Sequence, residues 1–374
     1  MQIYLDYSAT TPPHSEVIAL MSQIMAEQWG NPSSTHTWGE RSATVVEKAR
    51  MQVSSLLNVQ SDSIVFTSGG TEANNLAVLG VASLYDRPQH IITSSVEHSA
   101  ISKPIDHLER QGWQITRLPV NRLGQVDPRD FEKALRPNTV LITVIYGQSE
   151  VGTIQPISEL VSIVQHWRTQ HHSDVIFHTD AVQVAGRLPL DLQHLPVDLL
   201  SLSSHKFYGP QGCGALYVRP GLSLVPLLHG GGQEFQLRSG TQAVPAIAGF
   251  GLAAELAAQN LSTEASRLQN LRDQLFANFA SHPTLMPTGD RIHRLPHHVS
   301  FCLRPHTDLL ETGITGKTIA HQMSLAGIGI SSGSACDSGK TIPSPTLLAM
   351  GFSEYQAKTG IRLTLGRDTT ADDI

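Results

Sequence analysis

Lys206 closes the run Ser201-Leu202-Ser203-Ser204-His205-Lys206, which follows the strand-like stretch Val197-Asp198-Leu199-Leu200. Gly209-Pro210-Gln211-Gly212 comes next, and then a second apolar run, Ala215 to Val218. This punctuation on both sides predicts a lysine at a strand end, where open α/β sheets gather their chemistry. A lysine withdrawn from water there can act as an amine nucleophile or form a Schiff base. An isolated lysine is ordinarily a solvated surface residue, so the chemical reading needs partners.

Three further stretches supply them. Ser68-Gly69-Gly70-Thr71-Glu72 follows the apolar run 64–67 and opens a helical pattern. Glycines let the backbone approach an anion, and free N–H groups at a helix start bind it. The spacing matches neither a dinucleotide fingerprint nor a P-loop. Ser95-Val96-Glu97-His98 follows the run 91–93, and a histidine there can lie over a planar ring, move protons, or simply cap a helix. His178-Thr179-Asp180-Ala181-Val182-Gln183 ends the run that starts at Val175. An aspartate at one strand end and a lysine at another is the pairing that pyridoxal phosphate uses. The carboxylate keeps the pyridine nitrogen protonated, the amine holds the aldehyde, and the turn at 69–71 offers a seat for the phosphate.

The elements that must position these residues alternate. Helices are predicted over 14–28 and 37–57. Strands at 64–67, 91–93, 115–118, 140–146 and 175–178 then alternate with helices at 72–84, 99–111, 127–135 and 156–170. Such alternation predicts a mostly parallel sheet covered by helices. Long Ala- and Leu-rich helices are expected over 242–280, then a strand at 298–303, a helix at 316–326 and a strand at 361–365.

The 374 residues are 40% hydrophobic and 16% charged, enough for a large core and two domains. A formal net charge of −6 argues against a nucleic-acid binder. No apolar run of membrane-spanning length appears, and the N-terminus lacks the pattern of a signal peptide. Three sparse cysteines, Cys213, Cys302 and Cys336, fit a reducing cytoplasm. Cys213 and Cys302 fall in apolar strand-like runs and read as core residues. His293, His297, His298 and His306 crowd one stretch, but Pro296 breaks any shared helical face, and no metal site is expected.

The ordered motifs resemble the cysteine desulfurases, within the class V aminotransferase-like group of pyridoxal-phosphate enzymes of fold type I. They run from Tyr4-Leu5-Asp6-Tyr7-Ser8-Ala9-Thr10-Thr11-Pro12 and Gly30-Asn31-Pro32-Ser33-Ser34 through the stretches above. Arg238-Ser239-Gly240-Thr241, Ser331-Ser332-Gly333-Ser334-Ala335-Cys336 and Ile361-Arg362-Leu363-Thr364-Leu365-Gly366-Arg367 complete them. The cysteine segment is similar to group I of that family, which serves iron–sulfur clusters, nitrogenase maturation or tRNA thiolation.

The resemblance implies an α/β fold with a mostly parallel central sheet in a large domain, 14–250. A smaller α+β domain, 1–13 plus 251–374, would carry the cysteine loop. It implies Lys206 as the Schiff-base lysine, Asp180 at the pyridine nitrogen, Gln183 at the phenolate oxygen and His98 on the ring. Thr71, Ser203 and His205 would bind the phosphate, Gly70, Ser204 and Ser149 would line the cofactor site, and Thr241 would reach the phosphate of a partner subunit. Arg362 and Asn31 would hold the carboxylate of L-cysteine, and Cys336 would take the sulfur as a persulfide, leaving alanine. A cytoplasmic homodimer handing sulfur to an acceptor protein, an iron–sulfur scaffold or a tRNA-thiolation protein, is expected. A selenocysteine lyase, a cystine C–S lyase, or a catalytically quiet scaffold for sulfur-transfer partners are the alternatives. Three departures stand out: Ser149 occupies a position where the family carries asparagine, residues 304–315 are longer than the family's turn, and the chain stops at Ile374, where the family begins a further helix.

Overall fold

The structure, a computed structural model, describes residues 2–305, 313–333 and 342–374. A seven-stranded sheet fills the larger part of it. Its strands are β2 (Ile64–Thr67), β3 (His90–Ser94), β4 (Gln114–Leu118), β5 (Thr139–Ile145), β6 (Ile176–Asp180), β7 (Leu199–Ser203) and β8 (Gly214–Val218). They lie in the order β2-β8-β7-β6-β5-β3-β4. Only β8 runs against its neighbours, β2 and β7, so the other six strands point the same way. Every residue of β5, Thr-Val-Leu-Ile-Thr-Val-Ile, is buried, as a strand covered on both faces requires.

The covering helices are α1 (Ser15–Glu27), α2 (Thr37–Leu57), α3 (Gly70–Ala82), α4 (Ser99–Arg110), α5 (Pro128–Ala134) and α6 (Ile157–His171). Local sequence sets their ends. Asp127 accepts from the Arg129 N–H ahead of α5, with Pro128 in the first turn, and Asn58 takes the left-handed conformation that stops α2. The expected helices of 242–280 form one helix, α7 (Val244–Asn278), of 35 residues. It leaves the first sheet along α2, where a Cβ on Gly251 would stand 2.5 Å from the Ala49 Cα; glycine permits that approach.

At the far end of α7 a second, four-stranded sheet has the order β12-β13-β10-β9, built from β9 (Leu285–Pro287), β10 (His298–Leu303), β12 (Ser331–Ser332) and β13 (Ile361–Thr364). The N-terminal β1 (Ile3–Tyr4) pairs in parallel with β11 (Ile328–Gly329). Helices α8 (Gly316–Leu325), α9 (Pro345–Ala349) and α10 (Glu354–Lys358) complete this part. The long turn of 304–315 lies mostly outside the described residues. The first sheet's strands run about two residues off the predicted limits at most, so every stretch singled out by its chemistry lies at or just after a strand end.

Candidate active site

Five of the parallel strands end around one cleft of about 130 Å³. Gly70 and Thr71 follow β2, His98 follows β3, Ser149 follows β5, Asp180 ends β6, and Ser203, His205 and Lys206 stand at and after the end of β7. Gln183, Val182, Ile145 and Asn74 complete the wall. The topology brings together what the sequence scatters over 137 positions, from Gly70 to Lys206 counted inclusively, because all these strands point their C-terminal ends the same way.

The Lys206 amine donates to the carbonyls of Ser8 at 2.6 Å and Ala9 at 2.9 Å, so the N-terminal segment forms one lip of the cleft. Burial, with the nearby Arg362 charge, brings the Lys206 pKa down to about 8, while Asp180 and Asp6 oppose the drop. Asp180 is held by two donors: Asn74 Nδ2 at 2.7 Å and the Val182 N–H at 2.9 Å. Asn74 is a site residue that motif reading misses. The signal was its helical spacing, one turn after Gly70 on the same face of α3.

The other titratable groups here are kept neutral. His98 caps α4, its Nδ1 accepting from the Ala100 N–H at 3.1 Å, and burial lowers its pKa. It is therefore both the helix cap and the cleft wall. Burial, with Lys206 adding, holds His205 down at about 4, and its Nδ1 lies 3.1 Å from Thr10 Oγ1. Glu97, enclosed behind the cleft, accepts from the Ile145 N–H at 2.8 Å and from the Ser94 hydroxyl. Burial, with Asp180 adding, raises its pKa to about 8. Environments that push neighbouring groups apart in this way mark sites of acid–base chemistry.

These residues fit an aldehyde cofactor carrying a phosphate. Gly70 opens the 13-residue helix α3, and a Cβ there would meet Val182 Cγ2 at 2.8 Å, so the bare helix start comes close to the cleft floor. The amine, the anchored carboxylate and the helix start face one another in the same cleft.

Not every expected residue joins them. Ser204 does not line the cleft: its hydroxyl is buried without a partner and packs where a Cβ on Gly209 would be. It packs against the turn after β7. Asn31 and Thr241 are exposed and outside the cleft of this chain, and Asn31 Oδ1 accepts from the Ser33 N–H at 3.0 Å. Arg362, on β13, donates to Asp6 Oδ1 at 2.7 Å and to the Ser149 carbonyl at 2.9 Å, while its Nε is buried and unpartnered. Asp6 is thus a second residue the sequence reading missed. Gln183 donates to the Ser8 carbonyl at 3.0 Å. Gln148 turns inward, donating to Thr346 Oγ1 and the Val96 carbonyl, as alternation beside cleft-lining Ser149 requires.

The histidines of 293–298 serve the framework: His297 Nε2 lies 3.1 Å from the Ser8 hydroxyl, and His298 Nε2 donates to the Ser149 carbonyl. Burial holds both well below the ordinary imidazole range. His306 lies outside the described residues, and so does Cys336. The remaining thiols, Cys213 and Cys302, are buried, and burial raises both pKa values, that of Cys302 to about 12. Neither is suited to thiolate chemistry.

Comparison with known proteins agrees with this geometry. The aminotransferase class-V family model matches residues 3–374. A cysteine desulfurase IscS of Dictyoglomus turgidum is 44% identical over 375 residues, spanning 100% of this chain and 92% of the relative. One from Methanosarcina thermophila is 40% identical, spanning 100% of this chain and 89% of the relative. Among solved structures, a NifS-like protein superposes with a TM-score of 0.91 at 34% identity, over 100% of this chain and 96% of that one. The structure described as SspA in complex with cysteine gives 0.83 at 33% identity, over 98% and 99%.

Proposed function

We infer the function from one premise: the chain belongs to the class-V aminotransferase family, and within it to the cysteine desulfurases. It is a pyridoxal-phosphate-dependent enzyme that removes sulfur from L-cysteine. The observation that carries the assignment to this cleft is the depressed Lys206 amine sharing it with Asp180 and the open start of α3.

In our reading each side chain has a task. The Gly70–Thr71 helix start, Ser203 and His205 hold the phosphate. Asp180, fixed by Asn74, provides the negative charge that keeps the ring nitrogen protonated. His98, uncharged, lies against the ring face. Bound there, the cofactor supplies an electron sink for the charge left when a Cα proton departs. Lys206 would take that proton and return it to Cα after sulfur has left; the Ser8 and Ala9 carbonyls are positioned to receive its N–H groups. Arg362 binds the substrate carboxylate, exchanging part of its bond to Asp6. The Cys336 thiolate then attacks the substrate sulfur. An S–S bond forms and the C–S bond breaks with its electron pair remaining on Cβ, which takes a proton. L-Cysteine and the Cys336 thiol thus become L-alanine and a Cys336 persulfide, which an acceptor protein such as an iron–sulfur scaffold draws down.

We assign 14–250 to the cofactor-binding domain and 1–13 plus 251–374 to the smaller one, a division that the two separate sheets support. A homodimer is supported by exposed Trp29 (69%) and Trp38 (53%), large apolar side chains on the α1–α2 side of one chain. A cytoplasmic setting is supported by unpaired Cys213 and Cys302, and no helix among the described residues is long and apolar enough to cross a membrane.

The test is turnover of L-cysteine by the cofactor-loaded protein, with alanine and sulfide both measured. Lys206→Ala is expected to abolish both. Cys336→Ser is expected to bind L-cysteine with the normal change in visible spectrum yet transfer no sulfur. Normal turnover by Lys206→Ala refutes the assignment.

A further inference from the structure

Glu150 has no part in the scheme above, yet it occupies an unusual position. It follows Ser149 at the end of the β5 strand and its turn, and its backbone N–H donates to Gln148 Oε1. Its Oε1 is closed off from solvent and has no hydrogen-bond partner. Burial raises its pKa to about 7, so the carboxyl is easily kept neutral, with the Ser344 and Thr346 hydroxyls and the Arg362 charge acting against the rise.

What encloses this carboxyl is informative. On one side is Gly333, the last described residue before the segment that contains Cys336. A Cβ built on Gly333 would stand 2.3 Å from Glu150 Oε1, 3.0 Å from its Cδ and 3.3 Å from its Cγ. Its three nearest atoms all belong to Glu150. Gly333 is not among the residues of positive φ, so it is this side chain, not the backbone, that a larger residue would have to displace. On the other side are Ser344, which caps α9 by accepting from the Leu347 N–H, and Thr346. These stand just beyond the far end of the same segment. The strand that leads into Gly333 is paired with the strand of Arg362: Ser331 faces Arg362 and Ser332 faces Ile361. The Gly333 N–H also donates to the Gly360 carbonyl at 2.9 Å. One side chain therefore stands against Gly333, with Ser344 and Thr346 near its carboxyl, and sits beside the residue assigned to the substrate carboxylate.

We propose that Glu150 is a positioning residue: it wedges the two flanks of the Cys336 segment, Gly333 and Ser344, against the Arg362 strand and so sets sulfur transfer rather than substrate binding. This rests on the reading of Cys336 as the sulfur acceptor. A misplacement of about 1 Å can cost about 100-fold in rate with little change in binding, which is the signature expected here.

The experiment uses the cofactor-loaded enzyme and four variants: Glu150→Gln, Glu150→Ala, Gly333→Ala, and Glu150→Ala with Gly333→Ala. Three quantities are read: the Kd for L-cysteine from the visible spectrum, the single-turnover rate of alanine formation, and the rate of Cys336 alkylation by iodoacetamide in cofactor-free protein. Glu150→Gln, uncharged and of the same shape, should stay within about 3-fold of the parent rate. Glu150→Ala and Gly333→Ala should each slow sulfur transfer by about 10-fold or more and change the alkylation rate, with Kd moving less than about 3-fold. The double variant should transfer sulfur faster than Gly333→Ala alone, because removing the carboxyl opens the space that the new methyl needs. Equal losses in binding and transfer, or a Gly333→Ala defect unrelieved by Glu150→Ala, overturn the proposal. Cys336→Ser serves as the control. If it transfers sulfur at the parent rate, the acceptor reading fails and this proposal falls with it. If it is inactive while the four variants behave otherwise than stated, the Glu150 proposal alone is refuted.

Discussion

The Lys206 amine offers the sharpest physical test of the cleft. Its pKa is brought from the usual 10.5 to about 8 by burial first and by Arg362 second. At pH 7.5 a group of pKa 8 is about one-quarter free amine, against about one part in a thousand for a pKa of 10.5. Lys206 in the cofactor-free protein should therefore react with an amine reagent such as acetic anhydride about 200-fold faster than ordinary ionisation allows. The same shift must appear in stability. A lysine whose pKa falls on folding binds fewer protons in the native state than in the unfolded one between pH 8 and 10.5, so stability is lowest below that window and rises through it. At about 1.4 kcal/mol per unit, the whole effect is up to about 3 kcal/mol. Lys206→Met removes the titrating group. The cofactor-free variant should exceed the parent by that order at pH 7, and its advantage should shrink towards pH 10. The assays are competitive labelling of Lys206, read by mass spectrometry across pH 6–11, and denaturant unfolding of both proteins at pH 7, 8.5 and 10. Arg362→Gln should move the labelling midpoint upwards, since it removes a repelling charge and frees Asp6 to attract. A labelling midpoint near 10.5, or a stability difference that does not change with pH, would refute the reasoning.

Other outcomes follow from the same geometry. Glu97 is neutral in the fold up to about pH 8 but ionised when unfolded above 4.5, so the folded protein loses stability as pH rises between those values. Glu97→Gln should be progressively more stable than the parent from pH 5 to pH 8, as read by thermal unfolding of the cofactor-free protein; parallel curves would show that Glu97 ionises normally. Gly70→Ala places a methyl 2.8 Å from Val182 Cγ2 at the helix start. Pyridoxal-phosphate affinity, measured by titration, should weaken by about 10-fold or more, with stability changed by about 1–3 kcal/mol. Ser149→Asn gives the cleft a longer amide donor, which should move the pH titration of the bound cofactor's visible band downwards. Coincident titrations would mean that the 149 side chain does not reach the cofactor.

The strands and their order of use were legible because each chemical stretch sits at a switch between two periodicities. Buried runs such as 64–67 and 139–145 are all apolar or β-branched, and glycine follows within two residues. A strand end is announced by the same residues that do the chemistry. The contacts that tie the N-terminal segment to the cleft were not legible in the same way. Nothing local to Ser8 or Ala9 says that their carbonyls meet an amine almost 200 positions away, and nothing in Asp6 marks it as the partner of Arg362, 356 positions further along the chain. Such pairs are made by the way β1 and β13 pack beside the first sheet, a property of the whole chain. Ser204 shows the opposite case. It belongs to the motif, yet the turn after β7 directs its hydroxyl towards Gly209 and away from the cleft. A motif records which residues are needed together, and it mixes those that hold a ligand with those that hold the turn. Asn74, Asp6 and Glu150 support Asp180, Arg362 and the flanks of the cysteine segment from behind, and only packing distinguishes that role from a residue's simply being buried. The sequence therefore points to the groups that react, while the groups that aim them are found by asking, of each buried polar atom, what stands against it.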